Sequence, residues 1–248
     1  MQFLSETRPA DGLVERRFVL GDIPGFLWMP ENLSAAASLP LILIGHPGGL
    51  APLHPRLAAR ARATAALGFA AATIELPSNG ERARSAPIEQ GRTALHNALR
   101  DGGRPSEEVI DAFILPLVDR AVPEWRAALD ELLELPGITG PVGISGGVVA
   151  VATRLALVDP RITAAGLFAG SFIPRATLEE ARRVTIPLHV LLQWDDAGND
   201  RTRALELYDA FGSTEKTLQA NLGGHTGVPS FAGDDAARFF ARHLAGTR

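Results

Sequence analysis

The chain has 248 residues, 46% of them hydrophobic, enough to bury one large core, and one domain over residues 1–248 is expected. A net charge of −4 leaves no electrostatic footprint for nucleic acid or an anionic membrane surface. There is no cysteine, which excludes disulfides, thiolate metal sites and a cysteine nucleophile.

No apolar run approaches the ~20 residues of a membrane span. The N-terminal stretch Met1-Gln2-Phe3-Leu4-Ser5-Glu6-Thr7-Arg8 lacks a basic segment followed by an apolar one. A cytoplasmic protein is therefore expected, with neither nucleic acid nor membrane as partner. In chain order, Val14 to Leu20 and Phe26 to Met29 predict short strands around the turn Gly21-Asp22-Ile23-Pro24-Gly25. Leu39 to Gly45 is an uninterrupted apolar run, as a buried parallel strand requires. An alanine- and arginine-rich helix follows over Leu53 to Leu67, then a second buried strand over Phe69 to Leu76.

Residues 83–120 carry no buried-strand pattern. Ile88 to Arg100 and Ser106 to Val118 predict helices around Asp101-Gly102-Gly103-Arg104-Pro105, and this segment is the candidate helical cap. Ala121 to Leu135 continues as an amphipathic helix. Strands are expected again over Ile162 to Ala169, Ile186 to Trp194 and Lys216 to Asn221, and helices over Asp200 to Phe211 and Ser230 to Leu244. The stretch from Ser171 to Thr185 is too short for a large lid. Strands alternating with helices predict a mostly parallel sheet covered on both faces.

Between the apolar run Gly140 to Ile144 and a small-residue helical pattern over Val148 to Val158 stands Gly143-Ile144-Ser145-Gly146-Gly147, a G-x-S-x-G element. A strand that turns sharply into a helix needs glycines beside the turn, because a Cβ there would clash. The central serine is then expected in a strained backbone conformation with its hydroxyl exposed. A serine hydroxyl also needs a base, and the base needs a group that fixes its tautomer. Past the strand ending at Trp194 come Asp195, Asp196 and, a little later, Asp200, which precedes a periodic helix as an N-cap does. Past the strand Lys216 to Asn221 comes His225, framed by Gly223, Gly224 and Gly227. His189 lies within a predicted strand and His54, His96 and His243 on helical patterns, and none has metal-ligand spacing with a carboxylate.

The strand–serine–helix element, followed by an acid loop and then a histidine loop, resembles the α/β-hydrolases over roughly Leu39 to Leu244. The resemblance implies an α/β-hydrolase fold: a mostly parallel sheet of about eight strands flanked by helices, with a small helical cap. It implies a triad of Ser145, Asp196 and His225, with Asp196 favoured among the three aspartates. One oxyanion donor would be the Gly146 amide. The other would come from Gly45-His46-Pro47-Gly48-Gly49, which resembles the family's His-Gly-x element with proline in the glycine position. Pro47 has no N–H, so Gly48 is the candidate, with Gly49 second. Leu50, Phe172 and Ile173 are candidate pocket residues, since they fall near the carboxyl ends of strands. Leu76-Pro77-Ser78-Asn79-Gly80-Glu81-Arg82 is similar to a loop of dienelactone-hydrolase-like proteins and small esterases. Dienelactone hydrolases themselves use cysteine, which this chain lacks. The implied activity is cleavage of a small carboxylic ester through an acyl-enzyme, without metal or cofactor, by a monomer or homodimer. A peptidase, C–C bond hydrolase or acyltransferase would use the same triad, and a binding protein on this fold would usually lose one of its members.

Overall fold

The computed structural model describes residues 1–8, 12–31, 38–102, 104–170 and 172–245; Gly103 and Ser171 of the expected connections lie outside them. Nine strands form one sheet in the order β1-β2-β3-β5-β4-β6-β7-β8-β9. They are β1 (Gln2–Thr7), β2 (Leu13–Leu20), β3 (Ile23–Pro30), β4 (Leu39–Gly45), β5 (Ala70–Ile74), β6 (Ile138–Gly146), β7 (Ile162–Phe168), β8 (Leu188–Gln193) and β9 (Lys216–Asn221). β4 to β9 run parallel, while β1, β2, β3 and β5 join through antiparallel ladders. The expected hairpin turn is tighter than its five-residue signal: Leu20 pairs with Ile23, so only Gly21 and Asp22 turn, Gly21 at φ 60°.

Seven helices cover the sheet: α1 (Leu50–Ala66), α2 (Ala86–Arg100), α3 (Glu107–Leu133), α4 (Val149–Val158), α5 (Arg175–Ala181), α6 (Arg201–Ala210) and α7 (Ser230–Leu244). The pleat sorts the core into two layers. Along β4, Leu41 and Leu43 join Trp125 and Leu129 of α3 and Val151 and Leu155 of α4 on one face. Ile42 and Ile44 join Leu57 and Ala61 of α1 and Phe239, Phe240 and Leu244 of α7 on the other. Each such side chain contributes roughly 1.5–3 kcal/mol by leaving water.

The helical patterns over Ser106 to Val118 and its continuation over Ala121 to Leu135 form one helix. α3 runs unbroken through Pro116 and Pro123, capped by Ser106, whose hydroxyl accepts the Val109 N–H. Its second half buries Trp125, Leu129 and Leu132 against the sheet. Its first half packs on α2 so closely that a Cβ at Gly91 would lie 2.2 Å from the Ala112 carbonyl oxygen. The 83–120 segment is thus a helical hairpin, one arm of which continues into a sheet-packed helix. The loop after β5 is tied to the same helix by Arg82, which donates to both carboxylate oxygens of Glu124 at 2.6 and 2.7 Å. No helix among the described residues is long and apolar enough to cross a membrane.

Candidate active site

Because β4 to β9 are parallel, the chain segments following β4, β6, β8 and β9 emerge at one edge of the sheet. Ser145 sits at the end of β6, its Cα paired with Ile44 and Gly166. The glycines around it are sterically required. A Cβ at Gly143 would lie 2.8 Å from Leu244, and one at Gly147 would lie 2.8 Å from the Gly45 Cα. The expected strain at the serine is not found. The positive φ angles of this turn belong to Gly146, at 67°, and Gly147, at 89°, while Ser145 keeps strand geometry and is half-buried. A glycine after the serine takes the left-handed conformation at no steric cost, so the serine need not.

Strand geometry directs the Ser145 side chain to the α1 and α7 face. There Oγ accepts a hydrogen bond from Arg60 Nη2 at 3.1 Å. The same guanidinium donates to the Ser145 carbonyl at 2.6 Å and to the Gly45 carbonyl at 2.8 Å. Burial, together with the nearby Arg56 charge, pushes the Arg60 pKa down to about 10.

Asp196 and His225 meet. Asp196, 7% exposed, places Oδ2 2.6 Å from His225 Nδ1, and its Oδ1 accepts the Gly198 N–H at 3.0 Å. An ionised carboxylate only accepts, so Nδ1 carries the proton and Nε2 of the neutral ring is left as an acceptor. The imidazole lies edge-on to Phe168 with ring centroids 5.6 Å apart and is 60% exposed. Among the described residues, no hydrogen bond joins Ser145 Oγ to the imidazole.

Asp195 and Asp200 have other work. Asp195 Oδ1 accepts the N–H groups of Gly223 and Gly224 at 2.8 and 2.9 Å, just before His225. Those two donors, Gly224 first, hold its pKa below the usual carboxylate range. Gln193 Nε2 donates to the Gly224 carbonyl at 2.6 Å, so the histidine loop is held from the end of β8 at several points. Asp200 caps α6, accepting the Arg203 N–H at 3.2 Å.

His46 and Gly48 follow β4. The His46 ring is buried and bonds the Ile74 carbonyl through Nε2 at 2.8 Å; a carbonyl only accepts, so Nε2 carries the proton. Burial lowers the pKa of this ring. Leu50 is not among the residues lining the cavity beside Phe172 and Ile173. It is 3% exposed, packs in the core layer beneath α1, and donates its N–H to the Glu75 carboxylate at 2.9 Å. Phe172 and Ile173 do line a cavity of about 340 Å³, together with Leu99 and Ile110 of the helical hairpin and Gly198 and Asn199 of the acid loop. Phe172 holds a left-handed φ of 63°. At the rim the charges pair with each other: Arg104 with Asp200 at 3.1 Å, and Arg203 with Glu206 at 3.1 Å.

His189 lies in β8, buried and bonded to Thr217, and His54 bonds Glu15 at 3.0 Å. His243, on α7, has its side chain 12% exposed beside Phe239. No group of three or more His, Asp or Glu among the described residues is placed to hold a metal ion.

No protein-family model matches the chain, and no curated protein matches it. Among solved structures it is similar to a cold-adapted esterase from an Arctic intertidal metagenomic library, at 25% identity and TM-score 0.74, covering 98% of this chain and 100% of that one. It is also similar to an acetyl xylan esterase from Paenibacillus sp. R4, at 13% identity and TM-score 0.69, covering 98% and 88%. A third likeness is TT1662 from Thermus thermophilus, at 18% identity and TM-score 0.67, covering 93% and 97%. The sheet order, the helices on both faces and these near full-length overlaps establish that the chain has the α/β-hydrolase fold.

Proposed function

We propose that the protein is a serine hydrolase that cleaves small carboxylic esters, with Ser145 as nucleophile, His225 as base and Asp196 as the group that orients it. The observation that carries this reading is the 2.6 Å bond between Asp196 and His225. It joins two loops at the sheet edge where Ser145 ends its strand. The esterase likeness at 25% identity favours esters over the peptide, C–C and acyl-transfer reactions that the same three residues would serve.

In this reading Ser145 Oγ attacks the ester carbonyl and its proton passes to His225 Nε2. The tetrahedral oxyanion takes hydrogen bonds from the amides of Gly146 and Gly48. The imidazolium returns its proton to the departing alcohol. Water, deprotonated by the same nitrogen, then releases the acid from the acyl-serine. The bond between Oγ and the imidazole that attack requires forms with substrate present, as catalytic contacts often do. The cavity beside the acid loop is the substrate pocket and the α2–α3 hairpin its small cap. The strained φ of Phe172 supports this, since such outliers cluster at functional sites. A volume near 340 Å³ and a charge-paired rim suit a short, neutral ester.

The test is Ser145→Ala. Turnover of short-chain aryl esters and labelling by a fluorophosphonate probe should both be lost, with circular dichroism unchanged. Labelling that persists at another residue would sink the assignment.

A further inference from the structure

Arg60 is a buried cation with no carboxylate partner among the described residues, and all three of its hydrogen bonds go to the ends of two strands. Its guanidinium binds the Gly45 carbonyl at the end of β4, and the carbonyl and Oγ of Ser145 near the end of β6. A buried charge without a counter-ion is costly, and filling the same space with leucine or methionine would avoid that cost. Gly146 is also fitted to it: a Cβ there would lie 3.1 Å from Arg60 Nη2.

The chemistry of the contact is specific. A guanidinium has five donors and no acceptor, so at Oγ it engages a lone pair and leaves the serine proton to be given to a base. A positive charge 3.1 Å from Oγ stabilises the oxyanion character that develops there during attack. By bridging Gly45 and Ser145, the same group fixes the spacing between the strand that leads to Gly48 and the strand that leads to Gly146. We propose that Arg60 is a further catalytic group of the hydrolase reaction, setting the Ser145 hydroxyl and favouring its deprotonation. This rests on the reading of Ser145 as nucleophile.

Arg60→Met keeps volume and removes the charge, while Arg60→Ala leaves room for a small cation. Arg60→Met should lower kcat about 10²-fold with KM changed less than about threefold, and slow fluorophosphonate labelling in proportion. Guanidinium chloride at tens of millimolar should raise kcat of Arg60→Ala about tenfold, while equal sodium chloride or urea should not. A kcat for Arg60→Met within about threefold of the parent overturns the proposal. So does a loss that tracks a fall in Tm and is not rescued by guanidinium, which would mark a purely structural role. Ser145→Ala, assayed alongside, separates the failures. If that variant still turns over ester, the nucleophile reading has failed and the proposal falls with it. If it is inactive and Arg60→Met is not impaired, the Arg60 proposal alone has failed.

Discussion

At the serine turn, backbone presses on backbone. Gly147 approaches Gly45 so closely that a single Cβ would stand 2.8 Å from its Cα, and Leu244 and Phe240 crowd Gly143 from the other side. The histidine loop, three positions along the sheet, packs tightly only on itself: a Cβ at Gly227 would lie 1.9 Å from the Gly223 carbonyl oxygen. Leu222 beside it is 68% exposed. Its place on the sheet edge depends on polar anchors from the end of β8: Gln193, Asp195 and Asp196. The glycines of the serine turn are therefore set by steric exclusion, which neither pH nor salt relaxes. The histidine loop is set by an amide and two carboxylates, and the carboxylates are within reach of both.

That contrast breaks first at Gly147. Gly147→Ala adds a Cβ at φ 89° against backbone that cannot yield, and should cost about 3 kcal/mol or more in urea denaturation along with ester turnover. Gly224→Ala, at φ 65° with nothing within 4 Å of its Cβ, should cost only about 1–2 kcal/mol. Equal costs would remove the distinction between the two regions. Asp196→Asn should lower kcat at least about 10²-fold with little change in stability, because an amide cannot stabilise the imidazolium formed during attack. An unchanged kcat would detach the base from this aspartate.

The smallest effect belongs to Asp195. Asp195→Ala should cost about tenfold in kcat and speed amide exchange at Gly223 and Gly224, whereas Asp195→Asn, which keeps an acceptor at Oδ1, should cost less. The sign with pH follows from the lowered pKa. The anchoring is complete above the ordinary aspartate value of 3.8 and is lost as pH falls through the lower value of the folded protein. Exchange that accelerates instead between neutral and mildly acidic pH would assign the anchoring to another group.

Much of this was legible in the sequence. β4 and β5 bury both faces, so their apolar runs stand out, and the order of Ser145, Asp196 and His225 is written in the chain. Asp200 reads as a cap because a periodic helix follows it. β1 was invisible because all six of its residues are exposed and no alternation marks it. α3 continues through Pro116 and Pro123, whose missing N–H groups cost hydrogen bonds that the burial of Trp125 and Leu129 outweighs. The strain expected at Ser145 fell on Gly146 and Gly147, a choice that the generic motif leaves to whichever residue follows the serine. Arg60 is one of several arginines in an alanine-rich helix, and only the fold shows that it points at Ser145. Asp195, beside the candidate acid, gave no sign that it holds the loop of His225.

α3 has 27 residues and so spans about 40 Å, with its far end wedged by Trp125, Leu129 and Leu132 and its near end forming a wall of the cavity through Glu107 and Ile110. Mechanically it is a beam held at both ends, clamped in the core at one and tied at the other through Glu107, which pairs with Arg175 at 2.8 Å and Arg203 at 3.5 Å. In the proposed reading it acts as one jaw of a gauge, and the size of ester admitted follows from the width of the cavity it borders.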